Sequence, residues 1–304
     1  MSLRVRNIIF IIIFASIIIG IWFAFFNQQQ KPIISQKNII ATTIFPLSDI
    51  TQNIAQNNAE VVNILPAGAS PHTFEPTPDL IIKLQQAKVI FKIGHGADDW
   101  VDQISKQIPN IKIVTVDKNI KLLEFNNQKY PNKKNSIDPH YWLTADNAKI
   151  ISQNIAQELS DIDPRNKESY QNNLLNYQKQ LSQLNQKIKN KLSKLSNPKI
   201  LVHHPSWNYF ARDYGLDVVG SFEINPGQEP TPKQLAELQN KVKQNNLQAI
   251  FIEPQLSIDS IKQFTKDMKI KIITLDPIGG ANIPDRNTYL ELLWYNTQQI
   301  ANSI

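Results

Sequence analysis

The stretch Arg165–Leu195, RNKESYQNNLLNYQKQLSQLNQKIKNKLSKL, decides the architecture because it contains neither glycine nor proline. Its apolar residues recur at steps of three and four: Tyr170, Leu174, Tyr177, Leu181, Leu184, Ile188, Leu192 and Leu195. This spacing predicts one amphipathic helix of about thirty residues, on the order of 45 Å long. A coiled coil is the alternative, but only about four heptads are present. We therefore predict a spacer helix that ends at Asn197-Pro198.

On both sides of this helix, short β-rich apolar runs alternate with helical patterns. The predicted strands are Ile39–Phe45, Val61–Leu65, Val89–Ile93 and Ile111–Val116 before it, and Ile200–His203, Val218–Glu223, Ala249–Ile252 and Ile270–Leu275 after it. The predicted helices include one that begins after the N-cap Thr77, one from about Asp146 to Leu159, and Pro232–Lys243, Ile258–Asp267 and Tyr289–Ile300. Such alternation is typical of mostly parallel sheets that are covered on both faces.

The predicted fold is therefore two α/β lobes with mostly parallel sheets, joined by one long rigid helix and preceded by an N-terminal transmembrane segment. The predicted boundaries are 1–36 for a membrane anchor or signal with a spacer, 37–163 for the first lobe, 164–197 for the linker helix and 198–304 for the second lobe.

The N-terminal segment has the pattern of a membrane-targeting sequence. Arg4 and Arg6 precede the uncharged apolar run Ile8–Phe26, which is about long enough to cross the hydrocarbon core of a bilayer. A cleaved signal is the alternative, but such signals have a shorter apolar region and a small-residue cleavage site. We predict an uncleaved anchor, with the arginines in the cytoplasm and the remainder on the periplasmic side.

Composition excludes several kinds of site. The chain has no cysteine, so disulfides, thiolate metal sites and lipid attachment through cysteine are excluded. The net charge of +6 is spread thinly, without a basic block interleaved with aromatic residues, so nucleic acid is not a predicted partner. A metal site in this chain must use imidazole and carboxylate ligands.

Four polar residues lie where ligands bind in open α/β folds. His72 and His204 lie just past predicted strands, Asp276 ends one, and His140 lies in a loop that leads into a helix. Ligands of such folds bind outside the carboxyl ends of the strands, and two candidates come from each lobe. Three imidazoles and one carboxylate form a tetrahedral set that favours Zn²⁺, whereas Mn²⁺ would prefer a second carboxylate.

Each candidate also has a plain structural interpretation. A single histidine is more often a hydrogen-bonded or surface residue than a ligand, and Asp276-Pro277 could simply open a turn. His95, between two glycines after a strand, is the main rival ligand. His203 is expected to point to the opposite side of the sheet from His204, because neighbouring strand residues face opposite sides.

At these residues the chain resembles the zinc- and manganese-binding proteins of bacterial metal ABC importers, in the cluster with a rigid helical linker. The matching motifs are PAGASPHTFEPTP (Pro66–Pro78), DPHYWL (Asp138–Leu143), HPSWNYFARDYGL (His204–Leu216), GQEPTP (Gly227–Pro232), IEPQ (Ile252–Gln255) and LDPIG (Leu275–Gly279). The resemblance implies that His72, His140, His204 and Asp276 bind the metal and that His95 does not. The His-rich loop common in zinc-specific members is missing from Lys118–Ile137.

The resemblance implies a monomeric extracytoplasmic protein that captures Zn²⁺, or alternatively Mn²⁺, between the lobes and delivers it to an ABC permease and its ATPase. A site with four protein ligands leaves no open position for a substrate, so we do not predict an enzyme. A zinc hydrolase would need an open position and a base, for which Glu75 and Glu253 are the candidates. A metal-dependent surface adhesin is the other alternative.

Overall fold

The computed structural model describes residues 7, 13–23, 37–126, 129–130, 133, 136–225 and 227–304. The described residues divide into two units, with the boundary between Lys37 and Asn38. In the first unit, residues 13–23 form helix α1, whose large apolar side chains are exposed. The predicted anchor, residues 8–26, lies partly outside the described residues. Within the described part of the chain, no helix combines the length and the apolar character that a membrane span needs.

The first sheet has four parallel strands in the order β2-β1-β3-β4 within the described residues. They are β1 (Asn38–Thr42), β2 (Ala59–Asn63), β3 (Ala87–Lys92) and β4 (Lys112–Thr115), with helices α2 (Phe45–Ala55), α3 (Pro78–Leu84) and α4 (Val101–Gln107) between them. Helix α3 begins as predicted, since the Thr77 hydroxyl accepts a hydrogen bond from the Leu80 amide at 3.4 Å. The first strand is shorter than predicted because Phe45 already begins α2, with proline in its first turn.

The second sheet repeats this topology, with four parallel strands in the order β6-β5-β7-β8 in the described chain. They are β5 (Lys199–Val202), β6 (Asp217–Ser221), β7 (Ala249–Ile252) and β8 (Lys271–Thr274). The helices of this half are α7 (Asn208–Tyr214), α8 (Pro232–Gln244), α9 (Asp259–Met268) and α10 (Tyr289–Ala301). Thr231 and Gln234 form a capping box at the start of α8, which explains the sharp boundary there.

Two helices join the halves: α5 (Ala145–Ile162) and the long α6 (Lys167–Leu192). Helix α6 has 26 residues and is slightly shorter than predicted, because Pro164–Asn166 form a 3-10 turn and Leu195 lies beyond its end. Its apolar stripe is buried against α2, α5 and α10. The predicted spacer helix is thus present, and α10, the last helix of the second half, packs on it.

One hydrophobic core runs through both halves. Ile40 and Phe91 of the first sheet, Leu181 of α6, and Val202 and Phe251 of the second sheet belong to the same buried cluster. The opposite faces of the sheets have smaller cores of their own, formed with α3 and α4 in the first half and with α8 and α9 in the second. The alternation of strand side chains produces this division, and it makes α6 part of the core that both sheets share.

Hydrogen bonds also cross between the halves near the site. Trp142 Nε1 donates to the Pro277 carbonyl at 2.8 Å, and the Tyr289 hydroxyl donates to the Trp142 carbonyl at 2.5 Å. On the other side, the Tyr209 hydroxyl donates to the Asp138 carbonyl at 3.0 Å and accepts from the Leu123 amide at 2.7 Å. Because these groups are buried or partly buried, the hydrogen bonds fix the positions of the loops of the two halves relative to each other.

Candidate metal centre

Three of the four predicted ligands converge on one point between the halves. His72 lies in the loop after β2, His140 immediately before the 3-10 turn Tyr141–Leu143, and His204 two residues after β5. The Nε2 atom of His140 lies 3.2 Å from Nε2 of His72 and 3.2 Å from Nε2 of His204. Possible ligand atoms of all three lie within 4.8 Å of one another. This is the spacing expected of ligands that surround a single ion.

The other ring nitrogen of each histidine contacts an acceptor. His140 Nδ1 lies 2.7 Å from Asp138 Oδ1, and His204 Nδ1 lies 2.9 Å from Glu253 Oε1. His72 Nδ1 lies 3.3 Å from the carbonyl oxygen of Gly96. Such acceptors favour the tautomer with the proton on Nδ1, which leaves the Nε2 lone pair for a metal ion. All three rings therefore present their free nitrogen to the same point.

Burial keeps two of these rings neutral. Desolvation, followed by the nearby His204, lowers the pKa of His72 to about 4 and holds the pKa of His140 well below its usual value. A neutral imidazole is the form that binds metal, so no proton has to be removed from these rings at neutral pH. The cluster is ready to accept a cation.

The supporting carboxylates differ in their electrostatics. Burial raises the pKa of Asp138 to about 7, and hydrogen bonds from His140 and Asn208 oppose this shift. Burial also acts to raise the pKa of Glu253, but His204 and the Ser206 hydroxyl outweigh it, so that this pKa lies below its usual value. Ser206 Oγ donates to Glu253 Oε1 at 2.5 Å. Asp138 and Glu253 are buried residues that orient the histidines.

Asp276, the fourth predicted ligand, is buried just after β8 but is not part of the three-histidine group. Its carboxylate accepts hydrogen bonds from the side chains of Gln255 and Arg286 and from the amides of Ile278 and Gly279. The Asn296 side chain also accepts a hydrogen bond from the Asp276 backbone amide and donates one to the Asp276 backbone carbonyl. This aspartate is therefore held by protein donors on the second half of the molecule.

The remaining two histidines have other partners. His95 Nε2 lies 2.7 Å from Asp117 Oδ2, and the residue has a positive φ of 55° between Gly94 and Gly96. His203 is fully buried, with its Nε2 3.4 Å from Glu223 and its Nδ1 accepting from the Glu253 amide. Neither belongs to the three-histidine group among the described residues.

The space beside the histidines is small. It leaves about 10 Å³ for the centre of a water-sized sphere, and its walls include Trp142, Pro277 and Ile278. That volume is on the scale of one water molecule or one ion. Of the two candidate bases, Glu253 is occupied by its contacts with His204 and Ser206, and Glu75 is exposed. The geometry does not suit a hydrolase.

Comparison with known proteins agrees with this geometry. The sequence profile of the ZnuA family, described as "Zinc-uptake complex component A periplasmic", matches residues 40–303. The chain belongs to this family. It is thus a substrate-binding component of a metal-uptake complex and not an enzyme.

The manganese ABC transporter substrate-binding lipoprotein PsaA of Streptococcus pneumoniae serotype 4 is 31% identical over 281 residues, covering 88% of this chain and 90% of PsaA. A crystal structure of ZnuA superposes with a TM-score of 0.80 at 31% identity, covering 88% of this chain and 99% of ZnuA. The laminin-binding protein Lmb of Streptococcus agalactiae, described as bifunctional with adhesin and metal-transporting activity, has a TM-score of 0.77 at 26% identity. That match covers 88% of this chain and 99% of Lmb.

The sequence pattern pointed to the three histidines but missed the groups that orient them. Asp138 lies only two residues before His140, and this Asp-x-His spacing was an available signal. For Glu253, the sequence predicts only the role of a candidate catalytic base. The Gly96 carbonyl carries no sequence signal, since it is a backbone group. Arg286, which contacts Asp276 and not a histidine, lies in an irregular loop and carries none either.

Proposed function

We propose that this protein captures Zn²⁺ through His72, His140 and His204, with Asp276 as the fourth ligand, and delivers it to an ABC permease and its ATPase. The observation that carries the proposal is the convergence of three Nε2 atoms, with an acceptor oxygen near Nδ1 of each ring. The small space beside the histidines supports the ion itself as the cargo.

Zinc is the first choice because three imidazoles and one carboxylate match its preference for nitrogen ligands in a tetrahedral shell. Manganese is the alternative, since it binds well where carboxylates predominate, and PsaA is named as a manganese protein. In this chain, imidazoles outnumber carboxylates three to one in the proposed ligand set.

The ligand set is tested by alanine substitution and competition titration with a zinc chelator. His72→Ala, His140→Ala and His204→Ala should each weaken zinc binding by more than tenfold, because each removes one inner ligand. Asp276→Ala should weaken it as well. His95→Ala is the matched control and should leave the affinity unchanged, since His95 pairs with Asp117. Equal effects of His95→Ala and His140→Ala would refute the ligand set.

Metal capture on the extracytoplasmic side requires that the protein be held near its permease. The apolar run of residues 8–26, preceded by Arg4 and Arg6, would serve as an uncleaved anchor, with the protein acting as a monomer. The chain has no cysteine to carry the lipid implied by the name of the lipoprotein relative. The test is cell fractionation of the full chain and of a chain that begins at Lys37. The anchor proposal fails if both occur in the same soluble fraction.

Metal binding should move loops more than whole lobes. Both sheets share one core with α6, and buried hydrogen bonds such as Trp142 to Pro277 cross between the halves. A large hinge rotation would have to break these contacts. Small-angle scattering should give nearly equal radii of gyration with and without zinc, and a large compaction would contradict this. Release would then depend on docking to the permease.

An additional adhesin role is the second candidate, favoured by the similarity to Lmb. The test is binding of the purified protein to immobilised laminin, with His140→Ala as a comparison. Absence of binding by the zinc-loaded protein would remove this candidate and leave the transport role untouched.

A further inference from the structure

The two oxygens of the Asp276 carboxylate have different surroundings. Oδ1 accepts three hydrogen bonds, from Gln255 Nε2 at 2.7 Å and from the amides of Ile278 and Gly279 at 3.0 Å each. Oδ2 is contacted by Arg286, whose Nη1 donates to it at 2.9 Å. A carboxylate oxygen offers about two lone pairs, so Oδ1 has none left for a metal ion. Any ion that binds Asp276 must use Oδ2, the oxygen that Arg286 holds.

The loop after β8 is shaped to bring Arg286 to this oxygen. The Arg286 carbonyl accepts from the Gly280 amide at 3.2 Å, and its amide donates to the Ile283 carbonyl at 3.1 Å. Gly279 has a φ of +68°, and a Cβ on it would lie 2.9 Å from the Arg286 carbonyl oxygen. The loop can close in this way only because residue 279 is glycine. The position of Arg286 is therefore built into the backbone.

The guanidinium group is held here only in part. Its side chain is 20% exposed and stacks over the Tyr295 ring, with Cζ 4.7 Å from the ring centroid. Its Nε is buried and has no hydrogen-bond partner within the described residues. An unsatisfied buried donor is unfavourable, so Nε does not help to hold the guanidinium here. The main polar contact that keeps the group in place is the ion pair with Asp276. Because the side chain is partly exposed, it can turn towards water once that contact is lost.

We propose that Arg286 is a built-in competitor of the metal ion: it holds Oδ2 of Asp276, and a divalent cation must displace it to bind that oxygen. This inference rests on the proposed ligand role of Asp276. A guanidinium and a divalent cation at the same oxygen repel each other, so the ion must offset the loss of the Arg286–Asp276 pair. The competition lowers the affinity of the site for every metal that needs this carboxylate.

Competition of this kind selects between metals. Zinc is bound strongly by three imidazoles and depends less on the fourth ligand, whereas manganese prefers oxygen ligands and depends on the carboxylate. Arg286 therefore disfavours manganese more than zinc. In this chain, the guanidinium is a specificity-determining group that contacts a ligand and not the ion.

The test is the affinity of full-length Arg286→Gln for Mn²⁺ and Zn²⁺, measured by competition titration against the unmodified protein. Manganese affinity should rise by tenfold or more, about 1.4 kcal/mol, and zinc affinity should rise by less. Arg286→Lys keeps the positive charge and should retain weak manganese binding. The matched control is Arg165→Gln, which removes the same charge from a side chain that is 82% exposed and belongs to the turn before α6.

A second mutant, Asp276→Asn, separates competition for the carboxylate from a general effect of removing a positive charge. In Asp276→Asn protein, the additional Arg286→Gln change should bring no gain in manganese affinity, because the contested carboxylate is gone. Unchanged or weaker manganese binding by Arg286→Gln would overturn the proposal and indicate that the arginine merely orients Asp276. Equal gains for both metals would overturn its selectivity part. If the unmodified protein bound neither metal, the proposed function itself would fail.

Discussion

Asp138→Asn should separate metal affinity from stability. The asparagine has the same shape and can still accept from His140 Nδ1, which lies 2.7 Å from Asp138 Oδ1. The Asn208 side chain, which donates to Asp138 Oδ2 at 2.9 Å, must turn its amide over so that its oxygen accepts from the new NH2 group. It loses the negative charge, and hydrogen bonds to charged groups exceed neutral ones by about 1 kcal/mol. Loss of such an orienting carboxylate typically lowers metal affinity by about 10- to 100-fold, or about 1.4–2.8 kcal/mol. We expect zinc binding to weaken within this range.

The metal-free protein should not be destabilised by the same change. Burial raises the pKa of Asp138 from 3.8 to about 7, so the folded protein binds this proton more tightly than the unfolded chain. Stability therefore falls as pH rises from about 4 to about 7, and above that range the buried charge is unfavourable. An uncharged asparagine avoids this effect. At pH 8 the free energy of unfolding of Asp138→Asn should equal or exceed that of the unmodified protein.

The assay combines a zinc competition titration with chemical unfolding of the metal-free protein, both at pH 8. Asp161→Asn, on the exposed side of α5, is the control with the same change of charge. Zinc binding within twofold of the unmodified protein would refute the idea that Asp138 orients His140. Loss of stability together with loss of binding would show that Asp138 supports the fold instead.

Three further changes test the fold around the site. Asp49→Asn should raise the free energy of unfolding above pH 6 by about 2–3 kcal/mol and have little effect near pH 4, because burial raises the pKa of Asp49 to about 6; urea titrations at both pH values measure this. Gly279→Ala should lower the free energy of unfolding by at least about 1–2 kcal/mol, since its φ is +68° and the added Cβ would lie 2.9 Å from a backbone oxygen; an unchanged denaturation midpoint would contradict this. Tyr177→Phe should stabilise α6 packing by about 1 kcal/mol, because the buried hydroxyl has no hydrogen-bond partner within the described residues; a lower melting temperature would indicate an unrecognised partner.

The sequence predicted the elements of the fold better than their ends. Helix α6 was predictable because its apolar stripe repeats over seven turns without a glycine or proline. The end of β1 was not, because Phe45 is apolar and fits a strand pattern as well as it fits the first turn of α2. Where a strand ends or a helix begins depends on local backbone geometry and capping, which the periodicity of apolar residues does not describe.

The candidate site was predictable where it follows from topology. His72 and His204 each follow a strand of a parallel sheet, so each loop had to lie at the carboxyl ends of the strands of its own sheet. The contact of the Asp276 carboxylate with Arg286 was not predictable in this way. Its competitor, Arg286, lies ten residues further along in a loop whose path is set by Gly279 and by backbone hydrogen bonds. A residue that acts through an irregular loop has no periodic signature.

The packing of α6 has a consequence for attempts to divide the molecule. A cut between Asn197 and Pro198 would give two fragments, each with a complete parallel sheet, yet each would expose the apolar surface that it now buries against the other. Neither fragment should be soluble when it is produced alone, whereas coexpression should allow the pair to reassemble. The two halves repeat one topology, but we expect them to fold together and not as independent domains, because they share one core.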